Sequence, residues 1–476
     1  MNFKTKPYDH QLSALEASKD EKYFAYFMEM GTGKSKVTID NICYLYEKGE
    51  IDTVIISAPK GVYTNWATTE LPIHMWDSVE YCVGVYSSSM RVAQKRALED
   101  MVASEGKLKI LIINIESFTT KKGLALALSL ARGSEGGLMT IIDESTCIKN
   151  HKSKRAKGAM HVSKLSKYTR ILTGTPITNN PLDLFSQCEF LHPGASGHVS
   201  YWAFKHRYAL CEPMVLGNRT FEVIKGFQNH QELTNKLNEY SFRVLKSECL
   251  DLPDKIYMKR EVQMTKEQKS IYDSLKNESL VMLGEGILTS TNALTTLNKL
   301  QQIACGHVKD DFGNTTEIPN LKISALNETL QELDDHAKVI IWCNFQKDVR
   351  MLKKHLGDAA VTYYGETSDE DREIALTKFK DKDSGIRFFI GTPHCGGRGL
   401  TLNIASHVIY YSNSFKLEDR LQSEDRCHRI GQSESVMYVD IVTKDTVDEK
   451  ILSALRDKQD LADKILSDVS SFADMV

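Results

Sequence analysis

The sequence predicts an α/β protein with two domains, each built on a mostly parallel sheet that is flanked by helices. A length of 476 residues is enough for two or more domains. Apolar, β-branched runs alternate with helical stretches in both halves of the chain, which is typical of parallel sheets covered on both faces. The alternation starts again in the second half, so we expect domains at 1–240 and 241–476.

Composition and charge exclude several classes of protein. Hydrophobic residues make up 41% of the chain and charged residues 26%, as in globular proteins. No run of about 20 apolar residues is present, and the first ten residues lack the apolar core of a signal peptide. A net charge of −3 excludes a generally basic nucleic-acid binder. The ten cysteines form no C-x-x-C pair, which argues against zinc and disulfides and favours a reducing compartment.

The stretch "FMEMGTGKSKVTID" predicts a loop that binds nucleotide phosphates. Gly31 and Gly33 allow a tight backbone turn, Lys34 would reach the outer phosphates, and the hydroxyl of Ser35 would hold magnesium. Apolar residues then recur at helical spacing up to Gly49, and "DTVIISAP" follows as a buried strand. The usual pattern has an earlier glycine where Met28 stands. The alternative interpretation is a glycine-rich turn before an ordinary helix.

An acidic pair follows another predicted strand, Leu138–Ile142. Asp143 and Glu144 would project from the carboxyl end of that strand, where α/β sheets bind ligands. Asp143 suits the magnesium shell, and Glu144 suits the orientation or deprotonation of an attacking water. A plain helix N-cap is the alternative for such a pair.

The second half contains the strand patterns "AKVIIWCNF" and "IRFFIGTPHCGGRGLTL", followed by "LEDRLQSEDRCHRIGQ". We expect Arg426 and Arg429, three residues apart, on one face of a helix. They would stabilise charge on a transferring phosphoryl group, or else form a salt-bridged surface. A basic stretch, Lys149–Arg170, has eight Lys or Arg and no acidic residue. It is either a solvated helix face or a surface for DNA or a partner.

Together these motifs resemble the Swi/Snf-type ATPases of helicase superfamily two over nearly the whole chain. "KPYDHQLSAL" resembles the adenine-reading element of that family, "FMEMGTGKS" motif one, "VIISAPKGVYTNW" motif Ia and "IIDESTCIKN" motif two. "LTGTPITNNPLDLF" resembles motif three, "GTPHCGGRGLTLN" motif five and "QSEDRCHRIGQ" motif six. "HRIGQ" is unusually specific to this family.

The resemblance implies two RecA-like domains with an ATP site in the cleft between them, and it assigns roles to residues of this chain. The expected catalytic residues are Lys34, Asp143, Glu144, Arg426 and Arg429. The expected nucleotide contacts are Tyr8, Gln11, Gly31, Thr32, Gly33, Lys34, Ser35 and Gly399, with Mg²⁺ held by Ser35 and Asp143. The expected nucleic-acid contacts are Lys60, Thr173, Thr175, Thr392, Gly396 and Gly397.

Four positions, in three motifs, depart from the family pattern. The family more often has an acid where Met28 stands, and its Asp-Glu-Ala-His is here Asp143-Glu144-Ser145-Thr146. In the family, that histidine links the nucleotide site to the rest of the protein. We therefore expect its absence to alter the coupling between the nucleotide site and the rest of the protein. Thr401 replaces a usual asparagine of motif five. The short flanks outside the motifs suggest a compact phage or bacterial protein. We expect a monomer in the cytoplasm of a bacterial or phage-infected host cell, although a nuclear location stays open.

The resemblance implies an ATPase that translocates on double-stranded DNA without separating its strands. Its contacts would be to the phosphate backbone, so binding would be sensitive to salt and independent of sequence. Two alternatives stay open at this point. One is a helicase that separates strands of DNA or RNA, and the other is an ATP-gated clamp that grips DNA with little movement.

Overall fold

The computed structural model describes residues 1–60, 62–216, 219–284, 290–310, 314–396, 400–429 and 431–466. The described chain divides into two compact units. Of the described residues, 1–212, 222–251 and 460–466 belong to the first unit, and those within 213–221 and 252–459 belong to the second. The first unit therefore includes residues 241–251 and 460–466, whereas the boundary expected from the sequence lies after residue 240.

The first unit is built on a seven-stranded sheet in which neighbouring strands run parallel. The strands of the sheet are β1 (Tyr23–Met28), β2 (Thr53–Ala58), β3 (Tyr81–Tyr86), β4 (Leu108–Asn114), β5 (Leu138–Asp143), β6 (Tyr168–Leu172) and β9 (Ser241–Val244), in the order β3-β4-β2-β5-β6-β1-β9. A separate pair of strands is formed by β7 (Ala209–Leu216) and β8 (Arg219–Phe227).

Helices cover both faces of this sheet. They are α1 (Asp9–Ser18), α2 (Lys34–Glu47), α3 (Tyr63–Asn65), α4 (Leu71–His74), α5 (Val92–Ala103), α6 (Lys121–Arg132), α7 (Lys154–Ser163), α8 (Asp183–Leu191), α9 (Tyr201–Tyr208), α10 (His230–Asn238) and α11 (Lys246–Cys249). Shorter turns of other types are the π-helical Trp66–Glu70 and the 3₁₀ segments Ile115–Thr119 and Ser145–Ile148.

Burial on both faces explains why these strands read as continuous apolar runs. In β2 all six residues are buried. Ile55 packs into one hydrophobic cluster, whereas Val54 and Ile56 pack into a second. Because successive side chains of a strand point to opposite faces, the two clusters are the two cores of this unit, one on each side of the sheet. The predicted parallel α/β architecture is confirmed.

The second unit has a six-stranded parallel sheet with the order β10-β17-β16-β13-β15-β14. Its strands and the small β11-β12 pair are β10 (Lys255–Val262), β11 (His307–Lys309), β12 (Thr315–Glu317), β13 (Val339–Trp342), β14 (Ala360–Tyr363), β15 (Phe388–Gly391), β16 (His407–Tyr410) and β17 (Val436–Thr443). Its helices are α12 (Lys266–Gly284), α13 (Ser290–Ala304), α14 (Lys322–Gln331), α15 (Gln346–Leu356), α16 (Asp369–Lys380), α17 (Pro393–Gly396) and α18 (Leu417–Glu424), with a 3₁₀ turn at Gly357–Ala359. The last helix, α19 (Val447–Leu466), begins in this unit, and its residues from 460 onward belong to the first unit.

The order of strands in the first unit decides where its functional loops meet. β6 lies between β5 and β1, and all three run in the same direction. The loops at their carboxyl ends therefore share one edge of the sheet, which is where open α/β sheets bind ligands. Among the described residues, no helix is long and apolar enough to cross a bilayer.

Candidate active site

The loop between β1 and α2 has a backbone that only glycine adopts easily. Gly31 has φ 83° and Gly33 has φ 93°, both in the left-handed region. A Cβ atom on residue 33 would also lie 2.1 Å from the side-chain nitrogen of Gln11. Both glycines are thus required by conformation, and a side chain at position 33 would also displace the amide group of Gln11. The helix α2 begins directly at Lys34, so its positive end lies at this loop.

Lys34 is buried and bonded to the main chain of the same loop. Its Nζ donates to the carbonyl oxygens of Met28, at 2.9 Å, and Glu29, at 3.3 Å. The structure explains how methionine is accommodated at position 28. Residue 28 contacts Lys34 through its main-chain carbonyl oxygen, so this contact does not depend on the side chain. The Met28 side chain is fully buried in the core of the unit. The identity of the side chain at this position is therefore set by packing.

The first helix holds the loop from the other side. His10 Nε2 lies 2.8 Å from the carbonyl oxygen of Thr32, and Gln11 Nε2 donates to the same oxygen at 3.1 Å. Burial lowers the pKa of His10 below its usual value. Tyr8, at the start of the helix, is 57% exposed, and its ring stacks on that of His10. A flat aromatic surface is thus available next to the loop.

Asp143 is the last residue of β5 and is buried at the same edge of the sheet. Its Oδ2 accepts a hydrogen bond of 2.9 Å from the indole nitrogen of Trp66. Burial raises the pKa of Asp143 above its usual value, while the Trp66 bond and the Lys34 charge act in the opposite direction. The carboxylate is thus desolvated and next to a cation, as expected for a metal ligand of a nucleotide site.

Glu144 has a strained backbone, with φ 54° and ψ 65°. The left-handed region costs a residue with a side chain on the order of 1–3 kcal/mol, and such strain is concentrated at functional sites. The carboxylate of Glu144 is buried, and the hydroxyl of Thr173 lies 3.4 Å from its Oε2. The sequence gives no signal of this backbone conformation.

The loop after β6 packs directly on the phosphate loop. A Cβ atom on Gly174 would lie 3.2 Å from both the Cα of Glu29 and the nitrogen of Met30. Thr173 was expected among the nucleic-acid contacts, but its side chain is fully buried on the Glu144 side. Its hydroxyl also accepts a hydrogen bond of 3.1 Å from the nitrogen of Thr175. The structure thereby joins the loops after β1, β5 and β6.

Ser145, one of the departures in motif two, makes a buried contact with α8. Its hydroxyl donates to the side-chain oxygen of Gln187 at 2.6 Å. The amide nitrogen of Gln187 in turn donates to the carbonyl oxygens of Pro176, at 2.8 Å, and Asp183, at 2.9 Å. The acidic pair is thus connected with the loop after β6 through Gln187. Thr146, which stands where the family has histidine, is buried, and its hydroxyl has no hydrogen-bond partner in the described part of the chain.

The residues present fit a nucleotide and Mg²⁺. The loop supplies main-chain N–H groups in a conformation that glycine permits, and Lys34 supplies a cation. Ser35 and Asp143 carry oxygen donors, which Mg²⁺ prefers. Magnesium in such sites usually takes one or two protein oxygens and completes its shell with phosphate and water. The donor set is therefore sufficient for Mg²⁺ together with a triphosphate.

The arginines of the second unit lie in a turn, so the prediction that they share a helical face is wrong. Helix α18 ends at Glu424, before either of them. The guanidinium groups of Arg426 and Arg429 instead converge on the carbonyl oxygen of Leu400, at 3.1 and 3.3 Å. Arg429 also donates to the hydroxyl of Thr401 at 2.8 Å. Thr401, the departure in motif five, is thus a partner of Arg429.

The other expected contacts have varied positions. Lys60 is exposed, whereas Thr392 is buried at the end of β15. Gly396 is packed so closely that a Cβ atom would lie 2.7 Å from the ring of Trp342. Gly397 and Gly399 lie outside the described residues.

The basic stretch Lys149–Arg170 is only partly a surface. Five of its lysines are exposed, namely Lys152, Lys154, Lys157, Lys164 and Lys167. Arg170, however, is fully buried in β6 and donates to the carbonyl oxygens of Ser18, at 2.9 Å, and Glu21, at 2.7 Å. Arg170 therefore belongs to the core and is removed from the predicted surface.

Comparison with known families agrees with this geometry. Residues 26–309 match the family model of the SNF2-related domain. The chain belongs to the SNF2-related family. Residues 321–431 of this SNF2-related chain match the helicase conserved C-terminal domain. The SNF2-related family consists of helicase-like ATPases, which confirms the resemblance found in the motifs.

Individual relatives of the SNF2-related chain are distant. An uncharacterized ATP-dependent helicase of Mycoplasma genitalium is 29% identical over 338 residues, which are 70% of this chain and 31% of that protein. The ATP-dependent helicase brm of Drosophila melanogaster is 25% identical over 468 residues, which are 92% of this chain and 27% of that protein. The chain thus spans about a third or less of these two relatives. The SWI2/SNF2 ATPase core of Sulfolobus solfataricus in complex with dsDNA is 24% identical, with a TM-score of 0.43 and coverage of 98% of this chain and 94% of that one.

Proposed function

We propose that this protein is a DNA-stimulated ATPase that translocates on double-stranded DNA and remodels DNA or protein–DNA complexes without separating the strands. The observation that carries the proposal is the joined set of loops at one edge of the first sheet, in a chain of the SNF2-related family. Those loops bring Lys34, Asp143 and Glu144 together.

Each residue has a role in the proposed reaction. Lys34 exchanges its carbonyl partners for outer phosphate oxygens of ATP. Ser35 and Asp143 hold Mg²⁺, which when bound neutralises charge on the phosphates. Glu144 orients the attacking water and takes its proton. We further propose that Arg426 and Arg429 stabilise the charge that develops on the transferring phosphoryl group.

DNA binding is proposed to use the phosphate backbone of the duplex. Lys60 and the lysines exposed in 152–167 offer positive charge on the first unit. Contacts of this kind are independent of sequence and weaken with salt. Thr175, Thr392, Gly396 and Gly397 are proposed to contact the phosphate backbone through main-chain groups, since the Thr175 hydroxyl and the Thr392 side chain are buried. Thr173 is proposed instead to connect the acidic pair with the loop after β6.

A triplex-displacement assay tests translocation directly. A third strand bound to a duplex should be released when ATP is present, because a protein that moves along the duplex pushes it off. The matched control is Glu144→Gln, which we expect to bind ATP and DNA while hydrolysing ATP poorly. A forked duplex should stay intact under the same conditions. Release of the third strand by the control variant, or separation of the fork by the wild type, would contradict the proposal.

A further inference from the structure

Trp66 makes a contact that the roles described so far do not use. Its side chain is 1% exposed, and its indole N–H donates to Asp143 Oδ2 at 2.9 Å across 77 residues of sequence. Asp143 is the carboxylate proposed to hold Mg²⁺. A buried carboxylate has two oxygens, so a fixed donor on Oδ2 determines where Oδ1 points. The rotation of the proposed metal ligand is thus set by a residue outside the loops that carry the nucleotide chemistry.

The backbone at Trp66 is unusual as well. Trp66 begins a π-helical turn, Trp66–Glu70, which lies between α3 and α4. Such turns are rare and occur frequently at functional sites, because the extra residue re-aims the side chains near it. The ring of Trp66 packs in the buried cluster that contains Leu71 and Met28, the last residue of β1. The indole is therefore held firmly by the core while its N–H reaches the active-site edge.

We infer that Trp66 is a positioning residue, which fixes the Asp143 carboxylate so that it can bind magnesium together with the nucleotide. The inference rests on the proposed ATPase function. A hydrogen bond from a neutral donor to a buried carboxylate is among the stronger ones in proteins. Without it the carboxylate would rotate, and the contribution of Mg²⁺ to nucleotide binding would fall.

The chain offers a closely matched control. Trp76 is also 1% exposed, belongs to the same buried cluster and donates its indole N–H to a buried aspartate, Asp40, at 2.9 Å. Asp40, however, lies within α2 and forms an ion pair with Lys36. Trp66→Phe and Trp76→Phe therefore remove the same volume and the same kind of hydrogen bond, but only the first touches the proposed metal ligand.

The experiment measures ADP binding by calorimetry, once with Mg²⁺ and once with EDTA, so that no hydrolysis is needed. The readout is the ratio of the two dissociation constants, which is the gain from Mg²⁺. Trp66→Phe should reduce that gain about tenfold, whereas Trp76→Phe should keep it. Affinity for ADP in EDTA should be similar in all three proteins. An unchanged gain in Trp66→Phe, or an equal loss in both variants, would overturn the inference.

A second measurement keeps the native residue, in case Trp66→Phe does not fold. The chain has four tryptophans, so replacement of all of them by 5-fluorotryptophan gives four ¹⁹F resonances. Removal of Trp76, Trp202 and Trp342 one at a time assigns three of them, and the fourth is Trp66. It should shift when ADP is added with Mg²⁺ but not with EDTA, and no difference between the two additions would refute the positioning role. If the wild type does not bind ADP at all, the proposed function itself fails.

Discussion

The contact between Ser145 and Gln187 gives a prediction whose size follows from the structure. Both side chains are fully buried, and the hydroxyl of Ser145 donates to the Gln187 oxygen at 2.6 Å. Ser145→Ala removes the donor and leaves a buried carbonyl oxygen without it, which costs roughly 1–3 kcal/mol. Only one oxygen atom is lost, and alanine is the residue of the family pattern at this position. Backbone strain and the cavity left by the substitution therefore contribute little to the change in the free energy of unfolding, and the lost hydrogen bond dominates that change.

The assay is thermal unfolding of the variant and of a matched control. Ser186 is likewise fully buried, but its hydroxyl has no hydrogen-bond partner in the described part of the chain. Ser186→Ala should therefore leave stability unchanged or raise it. For a unit of this size, a loss of about 2 kcal/mol lowers Tm by roughly 4–8 °C. Equal melting temperatures for the two variants would refute the assignment of this hydrogen bond as a stabilising contact.

Three further substitutions test the chemical roles. Lys34→Ala should abolish ATP turnover because the outer phosphates lose their cation, and turnover near that of the wild type would contradict this role. Glu144→Gln should bind ATP normally and hydrolyse it poorly, since Asp143 remains; a collapse of ATP affinity would instead indicate a structural role. Arg429→Ala should lower turnover on the order of 10³-fold with little change in ATP affinity. A variant of Arg429 with a lower Tm but near-normal turnover would show that this residue is structural.

Much of the fold is predictable because burial on both faces imposes a simple pattern. The runs "DTVIISAP" and "GLMTIID" contain β2 and β5, and the helix after the phosphate loop begins at Lys34. Local sequence patterns are enough to predict these elements, since the spacing of glycines and the runs of β-branched residues determine the backbone conformation within a few residues. The family resemblance then extends the prediction to the order of the functional loops.

The errors arise where tertiary contacts outweigh local patterns. Spacing alone suggested that Arg426 and Arg429 share a helix, but α18 ends first and their guanidinium groups bind the carbonyl of Leu400. Charge alone predicts Arg170 on a basic surface, but its side chain is buried and donates to the main-chain carbonyl oxygens of Ser18 and Glu21, which are distant in sequence. The Trp66–Asp143 bond was missed because no local signal connects residues 77 positions apart.

The most direct test of the account is ATP turnover measured with no nucleic acid, single-stranded DNA, duplex DNA and RNA. We predict that duplex DNA stimulates hydrolysis more than the other three conditions do. The stimulation should fade as salt rises, because backbone contacts depend on the release of counterions. Equal turnover in all four conditions, or a preference for single strands or RNA, would contradict the proposed duplex translocase.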